Sequence, residues 1–509
     1  MDYIKYSHLL PQFSKFLSLQ IGLFFPKERW PDLVRGMEAA TSEFGFQDTA
    51  MCMQWLLTAP LTQNQIETLA EHLTIGETYF FREEAVFNAL RTHILPKLIE
   101  SRRSNGKHLR IWSAGCSTGE EAYSLAILVQ QMIPDFQQWN ISILGTDINP
   151  HALKKASSGI YSDWSFRTAP SFLLRDKYFR SVHVGRYEIT PQIKNMVTFS
   201  YLNLAEDTYP SLSNYTGAMD IIFCRNLLMY FEPDLAAKVV GKHYQALVEG
   251  GWLIVSPSEI SQASFMQFST RHFPNVILHQ KISGNLVSET KTAPQSLADI
   301  LPENIGLSAD PMARSDMDSP SNTSLPETDV PFLMVSGKNA DKKLDCEQAF
   351  LLYSKGSYEK AAQAITALLA IQPNNIEAMT LMVRMLANQG NLALASQWYE
   401  QLIATDNLHA VGHYLMATVF LELRQIDNAM RLLKLTLYLD QDFVLAHFAL
   451  GNLCRQQGLG KEAGKHFNNA LLLLGQYSRD EVIPESDGVA AGQLIESIHG
   501  FMREQEEAA

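Results

Sequence analysis

The 509-residue chain predicts an α/β domain with a mainly parallel sheet, set between two all-helical regions. Three observations predict it. Residues 109 to about 283 alternate short apolar runs with helical patterns. Residues 1 to about 90 carry apolar positions at helical spacing. Residues 345 to about 477 repeat with a period of 34.

At the N-terminus, FSKFLSLQIGLFF, LTQNQIETLAEHLTIGE and REEAVFNALRTHILPKLIE place apolar residues on one helical face with charges between them. In the central region the predicted strands are Leu109–Ala114, Ile141–Gly145, Val197–Tyr201, Met219–Cys224 and Trp252–Val255, and the predicted helices Glu120–Met132, Pro150–Ala156 and Pro233–Val248. Such alternation predicts helices on both faces of a parallel sheet. Residues 160–196 interrupt it with aromatic and basic residues, and KYFRSVHVGRYEIT reads as a small inserted β-hairpin. Residues 284–340 hold six prolines among Ser, Thr, Asn and Asp, a composition that cannot bury enough apolar surface to offset ordering entropy, and read as a linker. In the repeats, Gly356, Gly390, Arg424 and Gly458 are 34 apart, as are Ala361, Ala395, Ala429 and Ala463. That is the period of tetratricopeptide repeats, with a small residue at the helix–helix contact and glycine at a turn needing positive φ. Arg424 breaks the glycine register, so a distorted third turn is expected. The resulting partition is 1–90 helical, 91–283 α/β, 284–340 linker, 341–478 repeats, and 479–509 a C-terminal helix with an acidic tail.

The net charge of −13 argues against broad binding to nucleic acid or to an anionic membrane surface. Five scattered cysteines form no CxxC pair, so neither a disulfide framework nor a metal site is expected, and a reducing cytoplasm is the natural location. No apolar run reaches about 18 residues, and none at the N-terminus is of signal-peptide type.

The run LRIWSAGCSTGEE carries the first chemistry. Its strand stops at Gly115, and a helix opens after Gly119 with Glu120 and Glu121. An α/β sheet makes a nucleotide-like site at such a strand end. The spacing is GxxxG rather than the dinucleotide fingerprint GxGxxG. Two acids at a helix start disfavour phosphate and suit a ligand with positive charge and ribose hydroxyls, which S-adenosylmethionine is. Asp147, ending the second strand, suits either a ribose diol or a helix cap; with the first loop, ribose is favoured. Arg225 and Asn226 in FCRNLLMYF end a strand facing the crevice or cap the next helix, and Tyr230 suits the site or the core. Thr78, Phe80, Phe81 and Arg82 in GETYFFRE suit a site or a simple junction between helices and sheet.

Together TYFFRE, WSAGCSTGEEAYSLAI, TDINPHALKKASSGIY, FSYLNL, DIIFCRNLLMYF and SPSE resemble the CheR-type chemotaxis methyltransferases, over roughly residues 5–283. The resemblance implies a Rossmann-like S-adenosylmethionine-dependent methyltransferase domain with an inserted β-subdomain. It further implies esterification of glutamate side chains of chemoreceptors. By the same resemblance, Thr78 and Arg82 would contact the methionine end of the cofactor, with Arg82 beside the transferring methyl. Glu121 would bind the ammonium, Asp147 the ribose, and Asn203 and Leu204 the adenine. Arg225 and Asn226 would complete the pocket near the sulfur, beside the loop at Gly115, and Tyr230 would lie close to the acceptor. Gly76 departs from the asparagine of some relatives, which removes one polar contact. Relatives that bind a receptor tether peptide have a longer, glycine-rich hairpin loop than Val184–Arg186, so tether binding is expected to be absent or weak. Lys5, Lys15, Lys27, Arg29 and Arg35 are candidates for meeting an acidic receptor helix, or simply a solvated face. The repeats imply a further protein partner or self-association. Rival readings are a methyltransferase acting on another acidic protein or small acid, and a non-catalytic scaffold that senses cofactor.

Overall fold

Five apolar runs become the parallel core of a seven-stranded sheet in a computed structural model of the chain, which describes residues 3–103, 106–211, 214–259, 265–282, 346–354, 358–423 and 425–508. The strands are β1 (His108–Ala114), β2 (Asn140–Asp147), β3 (Ile160–Ser162), β4 (Phe179–His183), β5 (Arg186–Ile189), β6 (Val197–Tyr201), β7 (Met219–Phe223), β8 (Leu247–Ile254), β9 (Ser269–Phe273) and β10 (Val276–Gln280). The large sheet runs β6-β2-β1-β7-β8-β10-β9. Its first five strands are parallel, and β10 and β9 add antiparallel to β8. Every residue of β7 is buried, which is why MDIIF reads as a continuous apolar run but for its one acid. That acid, Asp220, accepts from Arg102 at 2.7 Å and from the Arg110 amide at 2.9 Å.

The inserted sheet has three strands in the order β3-β5-β4. Val184 and Gly185 alone join β4 to β5, with Gly185 at φ +68°. Phe80, Tyr161, Phe166 and Phe179 pack ring to ring at 4.8–6.3 Å and fasten the insert to the segment entering the sheet.

The N-terminal helices Leu10–Ile21, Trp30–Glu43, Thr49–Leu56 and Gln63–Leu73 form their own core around Phe13, Leu17, Leu33, Met37, Met53 and Leu69. Thr62 and Gln65 form a reciprocal capping box at the start of the last of these. This core reaches over the sheet's carboxyl edge to include Ile148 and Tyr230.

Eight helices between Cys346 and Leu474 pair in sequence, followed by a helix at Ala491–Ala508. Ala361, Ala395, Ala429 and Ala463 are fully buried, and Gly390 and Gly458 adopt φ of +76° and +75°. The turns at Gly356 and Arg424 lie outside the described residues, as does the expected linker at 284–340. The helical array packs on the sheet as part of one compact unit. Arg110, on β1, pairs with Glu422 and donates to the Tyr215 carbonyl at 2.9 Å. A side chain at Gly390 would meet the Ala218 methyl at 2.9 Å. Among the described residues no helix is long and apolar enough to cross a membrane.

Candidate functional site

β1 ends in a loop whose geometry requires its glycines. Gly115 sits at φ +81°, and a Cβ there would come within 2.9 Å of Leu227. Gly119 sits at φ +90°, and a Cβ there would lie 2.8 Å from the Ala156 methyl. The amides of Gly115 and Cys116 both donate to the Thr146 carbonyl, at 2.8 and 2.9 Å, which draws the loop onto the end of β2.

Asp147 ends β2 beside that loop. Its carboxylate accepts from the Ser117 amide at 2.8 Å and the Asn149 amide at 2.9 Å. Burial raises its pKa, and the backbone amides oppose the rise. Each oxygen keeps a lone pair for a further donor. The cap of the next helix is made by Asn149, which accepts from the Ala152 amide at 3.1 Å, so Asp147 is not needed for it.

A cavity opens here between the sheet's carboxyl edge and the N-terminal helices. Gly115, Ser117, Asp147, Asn203, Leu204, Asn226 and Tyr230 line it from the α/β side, and Phe25, Arg29 and Gly76 from the other. Asn203 is buried and its side chain is committed: its amide donates to the Gln20 carbonyl at 3.0 Å and accepts from the Ala205 amide at 3.1 Å. Asn226 stands at φ +57°, held by its backbone N–H, which donates to the Glu259 carboxylate at 2.9 Å. Tyr230 accepts at its carbonyl from the Phe24 amide at 2.8 Å, and the Arg29 guanidinium lies 4.9 Å from its ring.

A second group gathers next to this cavity rather than on its wall. Arg225, nearly fully buried, donates to Glu121 at 3.1 Å, to Glu83 at 2.9 Å and to the Arg82 carbonyl at 3.0 Å. Glu121 also accepts from Ser113 at 2.7 Å. Burial raises the Glu121 pKa, while Arg225 and Ser113 oppose the rise. Arg82 donates to the Glu77 carbonyl at 2.7 Å. Thr78 is half-buried on the same entering segment and is not among the residues lining the cavity. Glu120 points elsewhere: it is buried and accepts from Thr118 at 2.6 Å and Ser165 at 2.9 Å, a tie between helix start and insert.

Three contributors were given no role in this site by the sequence reading. Glu259 accepts from the amides of Asn226, Leu227, Met229 and Ser256 and so shapes the Asn226 loop. Its sequence signal is an acid following a buried strand, in IVSPSE. Glu83 is the second partner of Arg225. Arg29, read from sequence among cations for a receptor helix, lies between Phe25 and Tyr230 on the cavity wall. Lys5, Lys15 and Arg35 pair with Asp48, Glu232 and Asp32 on the surface.

The donor set fits S-adenosylmethionine: apolar walls at Leu23, Phe25, Leu202 and Phe231, and a carboxylate at the end of β2. The CheR methyltransferase, SAM binding domain family matches residues 76–276, and the tetratricopeptide repeat family matches residues 352–419. A probable chemotaxis protein methyltransferase of Rhizobium etli is 36% identical over 207 residues, 40% of this chain and 75% of that protein. Chemotaxis protein methyltransferase 2 of Vibrio cholerae is 34% identical over 209 residues, 41% and 70% of the two chains. The chemotaxis protein methyltransferase of Borreliella burgdorferi is 33% identical over 197 residues, 38% and 68%. The chain therefore belongs to the CheR family of S-adenosylmethionine-binding chemotaxis methyltransferases and carries tetratricopeptide repeats behind its catalytic fold.

Proposed function

We propose that the chain methylates glutamate side chains of a chemoreceptor's helical cytoplasmic domain, forming γ-glutamyl methyl esters. One observation carries this reading. The titratable residues lining the cavity are Arg29, Asp147 and Tyr230, and the two carboxylates beside it, Glu83 and Glu121, are both paired with Arg225. Asp147 is bound by two amides, and Tyr230 is a phenol. An amine acceptor, with a pKa of about 10.4, would have to be deprotonated first, whereas a glutamate, with a pKa of about 4.3, arrives already ionised.

Bound S-adenosylmethionine supplies a sulfonium-activated methyl. The chain's residues then have positioning work to do. Asp147 would accept from the ribose hydroxyls, and Leu202, Asn203 and Leu204 would wall the adenine. Gly115 lets the backbone approach closely. Arg225 pairs with both Glu121 and Glu83, one cation between two carboxylates, and the spare lone pairs of Glu121 would meet the cofactor's ammonium. Thr78 and Arg82 would contact the methionine end. Asn226, fixed by Glu259, would close the pocket near the sulfur. Arg82, Arg29 and Tyr230 would orient the incoming carboxylate. An imperfect ion pair is required, because a tight one would blunt the nucleophile.

The test is transfer of labelled methyl from S-adenosylmethionine to receptor-bearing membranes, followed by mild base. Release of labelled methanol, lost in Arg82→Ala, supports the ester. A base-stable label would replace this reading with amide or ether formation, and cofactor binding without labelling would favour a sensing scaffold.

A further inference from the structure

We propose that Gln493, on the helix following the repeats, is a positioning residue for cofactor binding, holding the 202–207 loop through Asp207 in the shape that receives the adenosine end of S-adenosylmethionine. This rests on the reading of the Asp147–Asn203 cavity as the cofactor site.

The loop begins where β6 stops, at Tyr201, and one further bond ties it to β2, the Leu202 amide donating to the Asp147 carbonyl at 3.1 Å. Leu202, Asn203 and Leu204 line the cavity. The Leu204 carbonyl accepts from the Tyr209 hydroxyl at 3.1 Å, and the turn that starts at Asn203 is closed by Asp207. One of its oxygens accepts from the Asn203 amide at 2.6 Å, and its own amide donates back to the Asn203 carbonyl at 2.8 Å. The other oxygen accepts from the Gln493 side-chain amide at 2.9 Å. The Gln493 oxygen accepts in turn from the Ala490 amide at 3.1 Å. That N–H fixes which way the side chain faces: oxygen toward Ala490, donor toward Asp207.

The segment presenting Gln493 is firmly seated. Ser486, Ala491, Leu494 and Ile498 are buried. Arg384, on a repeat helix, grips Glu485 and Asp487, the latter at 3.2 Å. Thr208 donates to the Gly488 carbonyl at 3.0 Å. Glu485 and Asp487 have φ of +66° and +57°, a backbone conformation that persists only where surroundings over-determine it. The repeats therefore present an amide donor to the wall of the cofactor cavity.

The groups around Asp207 are Lys242, which donates to its carbonyl at 3.0 Å, Glu206 on its own loop, and, beside Tyr201, Glu496 and Glu67. Burial pushes the Asp207 carboxyl up to about 6, with Lys242 and Gln493 opposing the rise.

The test uses the full chain and two ligands, S-adenosylmethionine and 5′-methylthioadenosine, titrated calorimetrically. Gln493→Met keeps length and loses the donor. Both ligands are expected to bind about five- to tenfold more weakly, as for the net loss of one ordinary hydrogen bond felt through the loop. Gln493→Glu keeps the acceptor for Ala490, so it serves where the Met variant fails to fold. It faces Asp207 with a second carboxylate, and its loss is expected to be about tenfold at pH 8. Near pH 5.5, where one proton is shared by the pair and an O–H again donates, the loss should shrink to about twofold. A merely structural role would not produce that pH dependence.

Asp147→Asn, measured in parallel, separates the failures. If it weakens binding while both Gln493 variants match wild type, the inference falls and the cofactor site stands. If it too leaves binding intact, the cavity is not the cofactor site and both fall. Loss for S-adenosylmethionine but not for methylthioadenosine also overturns the inference, because the effect would then lie away from the adenosine end.

Discussion

Gly119 shows how much one position in the cofactor loop demands. Its φ of +90° and the 2.8 Å approach to Ala156 exclude a side chain twice over. Gly119→Ala is expected to cost about 1–3 kcal/mol, read as a shifted urea midpoint with unchanged slope. His243 makes a pH prediction. It is fully buried among Trp112 and Tyr209, and burial lowers its pKa to about 3. The unfolded chain takes up this proton near pH 6.5 and the folded chain does not, so stability falls as pH drops from about 6.5 toward 3. His243→Phe is expected to flatten that part of the stability–pH curve, measured by urea unfolding across the range. Gly115, Gly119 and Asp147 were legible because their requirements are local: a left-handed turn, a close approach, an acid at a strand end. The pairings of Glu259, Glu83 and Arg29 were not, because each meets a partner about 30 to 200 residues away in the chain, and nothing in a one-dimensional window reports such a pairing.

Among elements, the five parallel strands were legible because burial on both faces leaves an uninterrupted apolar run. β9 and β10 were not. β9, at the sheet edge, has its central three residues exposed, so STRHF lacks both a run and a clean alternation. The inserted sheet shows a hairpin signal, but its third strand, β3, is three residues long and pairs with β5 across some 25 residues of chain. The two-residue turn at Val184–Gly185 bears on recognition. A receptor-derived tether peptide would add a strand to this small sheet. With so short a turn to embrace it, we expect no calorimetric binding tighter than about millimolar, a limit of about −4 kcal/mol. Submicromolar binding would show that the edge alone suffices.

At the scale of the molecule, the repeats were legible from their period, and their docking was not. Arg110 and Glu422 stand 312 residues apart, both nearly buried, and nothing in either segment announces the other. Burial lowers the Arg110 pKa to about 10 while Asp220 opposes the fall, so the guanidinium stays charged at neutral pH. Arg110→Ala leaves Glu422 facing the sheet unpaired and is expected to cost about 3–5 kcal/mol of the association between repeats and sheet. Calorimetric melting should then split into two transitions, the first belonging to whichever half is less stable alone.

The Arg110–Glu422 contact also changes what the chain between residues 282 and 346 is for. The halves are held by side chains as well as by peptide bonds, so the covalent connection is one joint of two. A protease nick there would leave two fragments that elute as one particle. Expressed alone, the first 282 residues would be an enzyme with one flank undressed, with Ala218 and Arg110 open to water. Adding the second fragment in trans should restore both its solubility and its grip on the cofactor.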